Sequence, residues 1–381
     1  MKIVFLSHTS RNSIYKVGSY HLSNKLSEDH EILYINNPIT VFHGIKAIFN
    51  QKYRKYVFTT KIKNIGIRKE HRIINFSPFK LISFRVGFPF ENILWATSST
   101  IIENIFLKMI LRKYSFLEVD LVIIDSLNLS YLTKIIKYER LIYRATDDYT
   151  TLPNQSKKLE ILERRLINQA HKTVVTSSIL KNIFEEKYGI QSSVISNGID
   201  TSYLQSLELK MPDIYPKLKS DYKSILIYIG SLDSRIDKKL LQALSINNPT
   251  TAIVLGGDTN DEFNNYSNIF EIGKVSYKEI GEYYSNADVG ILPFDTTHLG
   301  NKTRSPMKLY EMLFFGLPVI STDFMEIRSR IEEQLIVCET TDCFQKNLEK
   351  VLASKKKKQS MDMSRHDWKK KSELLISNLK F

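Results

Sequence analysis

Short apolar runs that stop on small or polar residues punctuate the chain. Lys2–Leu6 is one, ending at Ser7 and His8, the pattern of a parallel strand buried on both faces and followed by a loop. Gly18 and Ser19 open a helical stretch over Tyr20–Ser27, and His30–Ile35 reads as a second strand, so the chain begins as a βαβ unit. Further strands are expected at Leu121–Ile124, Arg140–Arg144, Thr173–Thr176 and Val194–Ser196, with helices at Lys157–Gln169 and Ile179–Lys187. Residues 201–222 have no clear period, hold Pro212 and Pro216, and are expected to be a linker. A second array follows, with strands at Ile225–Ile229, Thr251–Leu255, Ile269–Glu271, Asp288–Leu292 and Val319–Ile320. Helices at Lys238–Leu244, Tyr277–Ser285 and Met307–Phe315 fit between them. Gly, Pro or Ser at the strand ends places ligand sites along one sheet edge. The pattern predicts two Rossmann-like α/β domains, 1–200 and 223–363, and a last helical segment in 364–381 around Trp368. The lysine run Lys355–Lys358 is expected to be a solvated helix face.

Composition narrows the class. The 381 residues are 43% hydrophobic and 25% charged, globular proportions with material for two cores. The most apolar stretch, Ile93–Leu111, is interrupted by Glu103 and Lys108, which argues against a membrane-spanning helix. The first residues have too short an apolar run for a signal peptide. With only Cys338 and Cys343 available, a reducing, cytoplasmic setting is expected. The net charge of +13 is concentrated in residues 40–115, which carry 14 basic and 3 acidic residues. That segment also holds Phe42, Phe49, Tyr53, Tyr56, Phe58, Phe76, Phe79, Phe84, Phe88 and Phe90. Basic residues laced with aromatics suit an anionic membrane surface, and the expectation is peripheral attachment at the inner face of the cell membrane. A solvated basic surface and a nucleic-acid site are the alternatives. The sequence has no phosphate-binding G-x-x-x-x-G-K-[ST], no G-x-G-x-x-G, no zinc spacing around its cysteines and no G-x-S-x-G. The two halves are therefore expected to bind neither a dinucleotide of the usual kind nor a Walker-type triphosphate.

The stretch Asn301-Lys-Thr-Arg-Ser-Pro-Met-Lys-Leu-Tyr-Glu-Met-Leu-Phe-Phe-Gly-Leu-Pro-Val-Ile-Ser321 resembles the nucleotide-sugar site of GT-B glycosyltransferases, a P-x-K-x-x-E helix start followed by G-L-P-V-I. Phe270–Tyr277, Tyr284–Pro293 and Asn197-Gly-Ile-Asp200 fit the same pattern in the same order. Ser7-His8, Tyr15–Leu22 and Tyr143-Arg-Ala-Thr-Asp-Asp148 look like the xanthan-pathway glucuronosyltransferase family and its teichuronic-acid-type relatives. The resemblance implies a GT-B fold, two Rossmann-like domains facing each other across a cleft, with the final helix packing back on the N-terminal domain. Retaining families of this kind carry two glutamates eight positions apart. Glu311 fits the second, but Thr303 stands at the first, a departure that favours an inverting enzyme.

Residue chemistry assigns roles within that frame. A leaving diphosphate without metal must be met by backbone N–H groups, a helix N-terminus and cationic side chains. Ser305, Pro306 and Met307 form such a helix start, Lys308 can reach a phosphate, and Arg235 after the Gly230 turn is a second phosphate candidate. Glu311, one turn from Lys308, can take both ribose hydroxyls; an intrahelical ion pair is the alternative. The base is expected against Gly273–Val275, and Gly18 is expected to let the chain approach the donor phosphate. There is no D-x-D pair to hold Mg²⁺ or Mn²⁺, so no metal cofactor is expected. An inverting transfer needs a general base on the N-terminal side. Asp147 is the first candidate, Asp148 the second and His8 the third, with helix capping as the alternative role for the aspartates.

The expected function is transfer of a sugar, glucuronic acid among the candidates, from a UDP-sugar to a lipid-linked glycan acceptor in capsule, exopolysaccharide or cell-wall synthesis. Three rivals are distinguishable. A retaining transferase would give the opposite anomer, a GT-B-fold epimerase would turn over UDP-sugar without acceptor, and a nucleic-acid-binding protein would bind oligonucleotide with a steep salt dependence and ignore UDP.

Overall fold

Nearly every apolar run becomes a strand of one of two sheets in the computed structural model. It describes residues 1–40, 48–49, 66–80, 100–151, 157–259, 262–329, 332, 334–354, 361–377 and 379. The N-terminal part runs β1 (Lys2–Ser7), α1 (Gly18–Leu26), β2 (Glu31–Asn36), β3 (Gly66–Glu70), β4 (Ile73–Ser77), α2 (Thr100–Lys113), β5 (Glu118–Ile124), β6 (Lys137–Ala145), α3 (Lys157–Gln169), β7 (Lys172–Val175), α4 (Ser178–Tyr188) and β8 (Ser193–Val194). Its sheet has the order β8-β7-β6-β5-β1-β2-β4-β3 and is parallel except for the β3–β4 hairpin at its edge. Alternate residues of the apolar runs feed opposite cores. Val4, Leu6, Leu33 and Ile35 pack on one face of the sheet; Ile3, Phe5, Ile32 and Tyr34 pack on the other.

The chain then forms α5 (Thr201–Gln205) and α6 (Tyr215–Asp221), followed by β9 (Ser224–Ile229), α7 (Lys238–Asn247), β10 (Thr251–Gly256), β11 (Ile269–Gly273), α8 (Ile280–Asn286), β12 (Val289–Leu292), α9 (Met307–Phe314), β13 (Val319–Thr322), β14 (Leu335–Cys338), α10 (Thr341–Ala353) and α11 (Trp368–Ile376). The second sheet is parallel, in the order β11-β10-β9-β12-β13-β14. Residues 201–222, expected to be a linker, instead hold two short helices. Their Leu204, Tyr215 and Leu218 are buried in the C-terminal core. The helix expected from Tyr277 starts at Ile280, because Glu279 turns back to accept hydrogen bonds from the N–H and hydroxyl of Ser276. That turn leaves Tyr277 to stack on Tyr203 and meet His21 edge-on.

The two crossings between domains run side by side. Ile199 donates to the His366 carbonyl at 3.0 Å, and Trp368 donates to the Ile199 carbonyl at 2.9 Å. Helix α11 thus returns to the N-terminal domain, where Trp368 and Leu375 join the core formed by Phe5, Leu22 and Tyr34. The Lys172 ammonium closes its end, donating to the carbonyls of Leu374, Leu375 and Ser377 at 2.9, 3.0 and 3.1 Å.

Much of the basic segment 40–115 falls outside the described residues, including Phe42, Tyr53, Tyr56, Phe58, Phe84, Phe88 and Phe90, as do Lys355–Lys358. Phe76, counted among the surface aromatics, is 3% exposed and belongs to the core. Helix α2 turns Ile105, Phe106 and Met109 outward beside Lys108, Arg112 and Lys113. No helix among the described residues is long and apolar enough to cross a membrane.

Candidate active site

The carboxyl edges of both sheets face one cavity of about 440 Å³. Of the residues singled out in the sequence, His8, Gly18, Asp147, Gly230, Arg235, Val275, Ser305, Met307, Lys308 and Glu311 line it. Asp148 and Gly273 do not. The Asp148 backbone carbonyl accepts from the N–H and hydroxyl of Thr151.

The C-terminal wall is built on the N-terminus of α9. No side chain caps this helix and its first turn holds no acidic residue, so its leading N–H groups and positive dipole end are open to an anion. The Lys308 ammonium lies 5.7 Å from the centre of the Tyr228 ring, and among the ion pairs of the described residues there is none between Lys308 and Glu311. Burial and the neighbouring Arg304 lower its pKa to about 8. The Glu311 carboxylate, 7% exposed, is pushed up to about 7 by burial, with Lys308 opposing. Arg235 is held by Asp233, Nε donating to Oδ1 at 2.8 Å while Nη2 bonds Oδ2, so its charge is matched inside the protein. Arg304, absent from the sequence expectations, is a further cation beside Lys308, with no ion-pair partner among the described residues. Its guanidinium stacks 5.0 Å from the Phe294 ring centre. Thr303, at the position of the missing first glutamate, is buried and does not line the cavity.

The N-terminal wall centres on a residue the sequence reading passed over. Asp125 follows β5 and is buried. Its Oδ1 accepts from the His8 backbone N–H at 3.0 Å and from His8 Nδ1 at 3.2 Å, and its Oδ2 takes the hydroxyls of Ser7 and Ser19. Burial works to lower the His8 pKa, but the Asp125 carboxylate, by charge and hydrogen bond, lifts the ring above its ordinary value. With Nδ1–H committed to Asp125, the basic lone pair is on Nε2, in a side chain 38% exposed at the cavity. Asp147 sits nearby on the same wall, exposed, and accepts from the Thr146 hydroxyl at 3.0 Å. The walls meet at Asn197, whose side chain donates to the Ser305 carbonyl at 2.9 Å and accepts from Arg144 Nη2 at 2.8 Å. The signal available for Asp125 and Arg144 was a charged residue in or just after an otherwise continuous apolar strand.

Comparison with known proteins agrees with this architecture. Residues 223–354 match the family model described as Glycosyl transferases group 1. No curated protein matches the chain. Among solved structures, OtsA is similar over 100% of this chain and 99% of its own, with a TM-score of 0.67 and 12% identity. Sucrose-phosphate synthase from Thermosynechococcus elongatus aligns over 98% and 95% at a TM-score of 0.65 and 11% identity. Anabaena HepE in complex with UDP-glucose aligns over 98% of both chains at a TM-score of 0.61 and 14% identity. The fold is GT-B, as the sequence resemblance implied. The enzyme class expected from the sequence, a glycosyltransferase, is the class of the matched family.

Proposed function

We propose that the protein transfers a sugar from a UDP-sugar to an acceptor hydroxyl, with inversion and without a metal ion. The observation that carries this reading is the C-terminal wall. There Arg304, Lys308 and the open end of α9 converge on one cavity, with the Glu311 carboxylate, which has no ion-pair partner among the described residues, one turn deeper. Two cations suit a sugar-linked diphosphate, which bears one charge on each phosphate, and a helix N-terminus adds N–H donors. Glu311, a carboxylate lining the same cavity, supports its assignment to the ribose hydroxyls. The UDP-glucose bound to the HepE neighbour supports uracil as the base.

His8 is the general base in this mechanism. Asp125 holds its Nδ1 and stabilises the imidazolium that forms when Nε2 takes the acceptor proton. Charge developing on the departing UDP falls on Arg304, Lys308 and α9. Thr303 at the first glutamate position supports inversion. Asp147, exposed on the same wall, is the second candidate base. The outward face of α2, apolar with basic residues beside it, supports a lipid-linked glycan acceptor met at an anionic membrane surface, in cell-surface polysaccharide synthesis.

A thermal-shift screen across nucleotides and nucleotide sugars tests the reading. UDP and UDP-sugars raise the melting temperature, a ligand at a hundred times its Kd contributing about 2.7 kcal/mol. Stabilisation by oligonucleotide alone, with no response to any nucleotide sugar, overturns it.

A further inference from the structure

Arg144 is a charge the mechanism above does not use. Strand β6 carries its guanidinium under the N-terminal wall, where the residue is 2% exposed yet still lines the cavity. Nη2 donates to Asn197, and the enclosed Nε has no acceptor among the described residues. Asp125 is the main opposing charge, but it takes its hydrogen bonds from Ser7, His8 and Ser19, none from Arg144. A guanidinium offers five N–H groups, and leaving them unpaired in a buried position is costly unless a ligand completes them.

Helix α1 opens at the same spot. It has no side-chain cap and no acidic residue in its first turn, and the N–H groups of Gly18 and Ser19 donate to nothing among the described residues. Both residues line the cavity. Gly18 is packed against the guanidinium: a Cβ there would stand 2.6 Å from Arg144 Nη2, 3.0 Å from Asn197 Oδ1 and 3.1 Å from the Trp368 ring. Only a bare backbone leaves this corner open.

The cations of the two walls also differ in their nearest charges. Arg304, Lys308 and Arg235 act on one another, whereas Arg144 acts on His8 and answers first to Asp125; Asp147 acts on Arg144, Arg235 and Arg304 alike. Arg304 and Lys308 already match the two phosphate charges, so Arg144 is left over on the side where the acceptor hydroxyl must meet His8.

We propose that Arg144 and the N-terminus of α1 form a second oxyanion site, separate from the diphosphate site, that takes a carboxylate or phosphate carried by the transferred sugar or by the acceptor. The proposal rests on the reading of this cavity as a UDP-sugar site. Gly18 thereby moves from the donor phosphate, where the sequence placed it, to this second anion.

The test is calorimetric titration of inorganic phosphate into UDP-saturated wild type and Arg144→Gln. Phosphate is expected to bind the UDP-saturated wild type and to lose at least tenfold in affinity in the variant, while UDP affinity stays within threefold. If Arg144→Gln does not fold, Arg144→Lys, which keeps the charge but not the fork, is expected to lose at least threefold for phosphate alone. No phosphate binding to the UDP-saturated wild type, or equal binding to the variant, overturns the proposal. A parallel fall in UDP affinity also overturns it, by placing Arg144 at the diphosphate. Failure of UDP to bind the wild type sinks the donor reading first and is seen before phosphate is added. UDP-glucuronate compared with UDP-glucose separates the sources. A wild-type preference for the uronate that Arg144→Gln abolishes assigns the anion to the transferred sugar; equal affinities with the phosphate site intact assign it to the acceptor.

Discussion

Acidification should open the seam between the domains through His21. Its side chain is fully buried, stacked on Trp368 at 5.5 Å between ring centres and edge-on to Tyr277 of the C-terminal domain. Neither ring nitrogen has a hydrogen-bond partner among the described residues. Asp200 is the one facing anion among the described residues, 4.0 Å from Nδ1, but it is already paired with Lys25 at 2.9 Å; Lys16, Lys25 and Arg11 add repulsion. Burial, outweighing Asp200, lowers the His21 pKa to about 3. The unfolded chain, with an ordinary pKa near 6.5, therefore binds the proton that the folded state refuses. Stability from this group is complete above pH 6.5 and is lost as pH falls towards 3. At pH 5 the folded ring is still neutral, so the loss relative to pH 7.5 is about 2 kcal/mol, from 1.36 kcal/mol per pH unit below the unfolded pKa. The perturbation is His21→Phe, which keeps a ring on Trp368 but cannot titrate. Urea denaturation of both proteins at pH 7.5 and pH 5, followed by tryptophan fluorescence, cancels every group they share. Wild type should lose about 2 kcal/mol more than the variant on acidification. Equal losses would refute the argument.

Four further outcomes follow from the site and surface. In Gly230→Ala the new Cβ would lie 2.2 Å from Lys308 Cε and 2.8 Å from Nζ, so the ammonium must swing away; UDP affinity should fall roughly 10- to 150-fold, the equivalent of a charge-assisted contact, and an unchanged calorimetric Kd would reject the placement of Lys308. His8→Ala should cut transfer about 10²- to 10⁴-fold with UDP binding retained, and near wild-type rates would return the base to Asp147. Asp125→Asn should shift the acid limb of the pH–rate profile to lower pH, since the carboxylate that raises the His8 pKa is gone; an unmoved limb contradicts that pairing. Phe106→Glu with Lys108→Glu on α2 should weaken sedimentation with anionic vesicles while UDP binding persists, and equal binding by variant and wild type would remove α2 from the membrane contact.

The sheets were legible because parallel strands buried on both faces must be continuously apolar, as in Lys2–Leu6 and Ile225–Ile229. The edge hairpin β3–β4 was not, because Gly66–Glu70 is polar, outward-facing and without a strong period. Helix α9 was legible through Pro306, Lys308 and Glu311, whose roles depend on local spacing. Arg304, four positions before Lys308, looked like any loop arginine; it matters only because Phe294 and Arg235 approach it in space. The same limit hid Asp125. It is separated from His8 by 117 positions, and only adjacency of β1 and β5 in the sheet brings them together. Asp147 and Asp148 drew notice as a carboxylate pair, but only Asp147 reaches the cavity.

The central claim is that the C-terminal wall holds the nucleotide of a UDP-sugar. Calorimetric titration of UDP into wild type, Lys308→Ala and Glu311→Ala tests it most directly. One UDP should bind the wild type, and each substitution should weaken it, Lys308→Ala by roughly tenfold or more for a lost contact of about 1.5–3 kcal/mol. The same UDP affinity in all three proteins would contradict the claim.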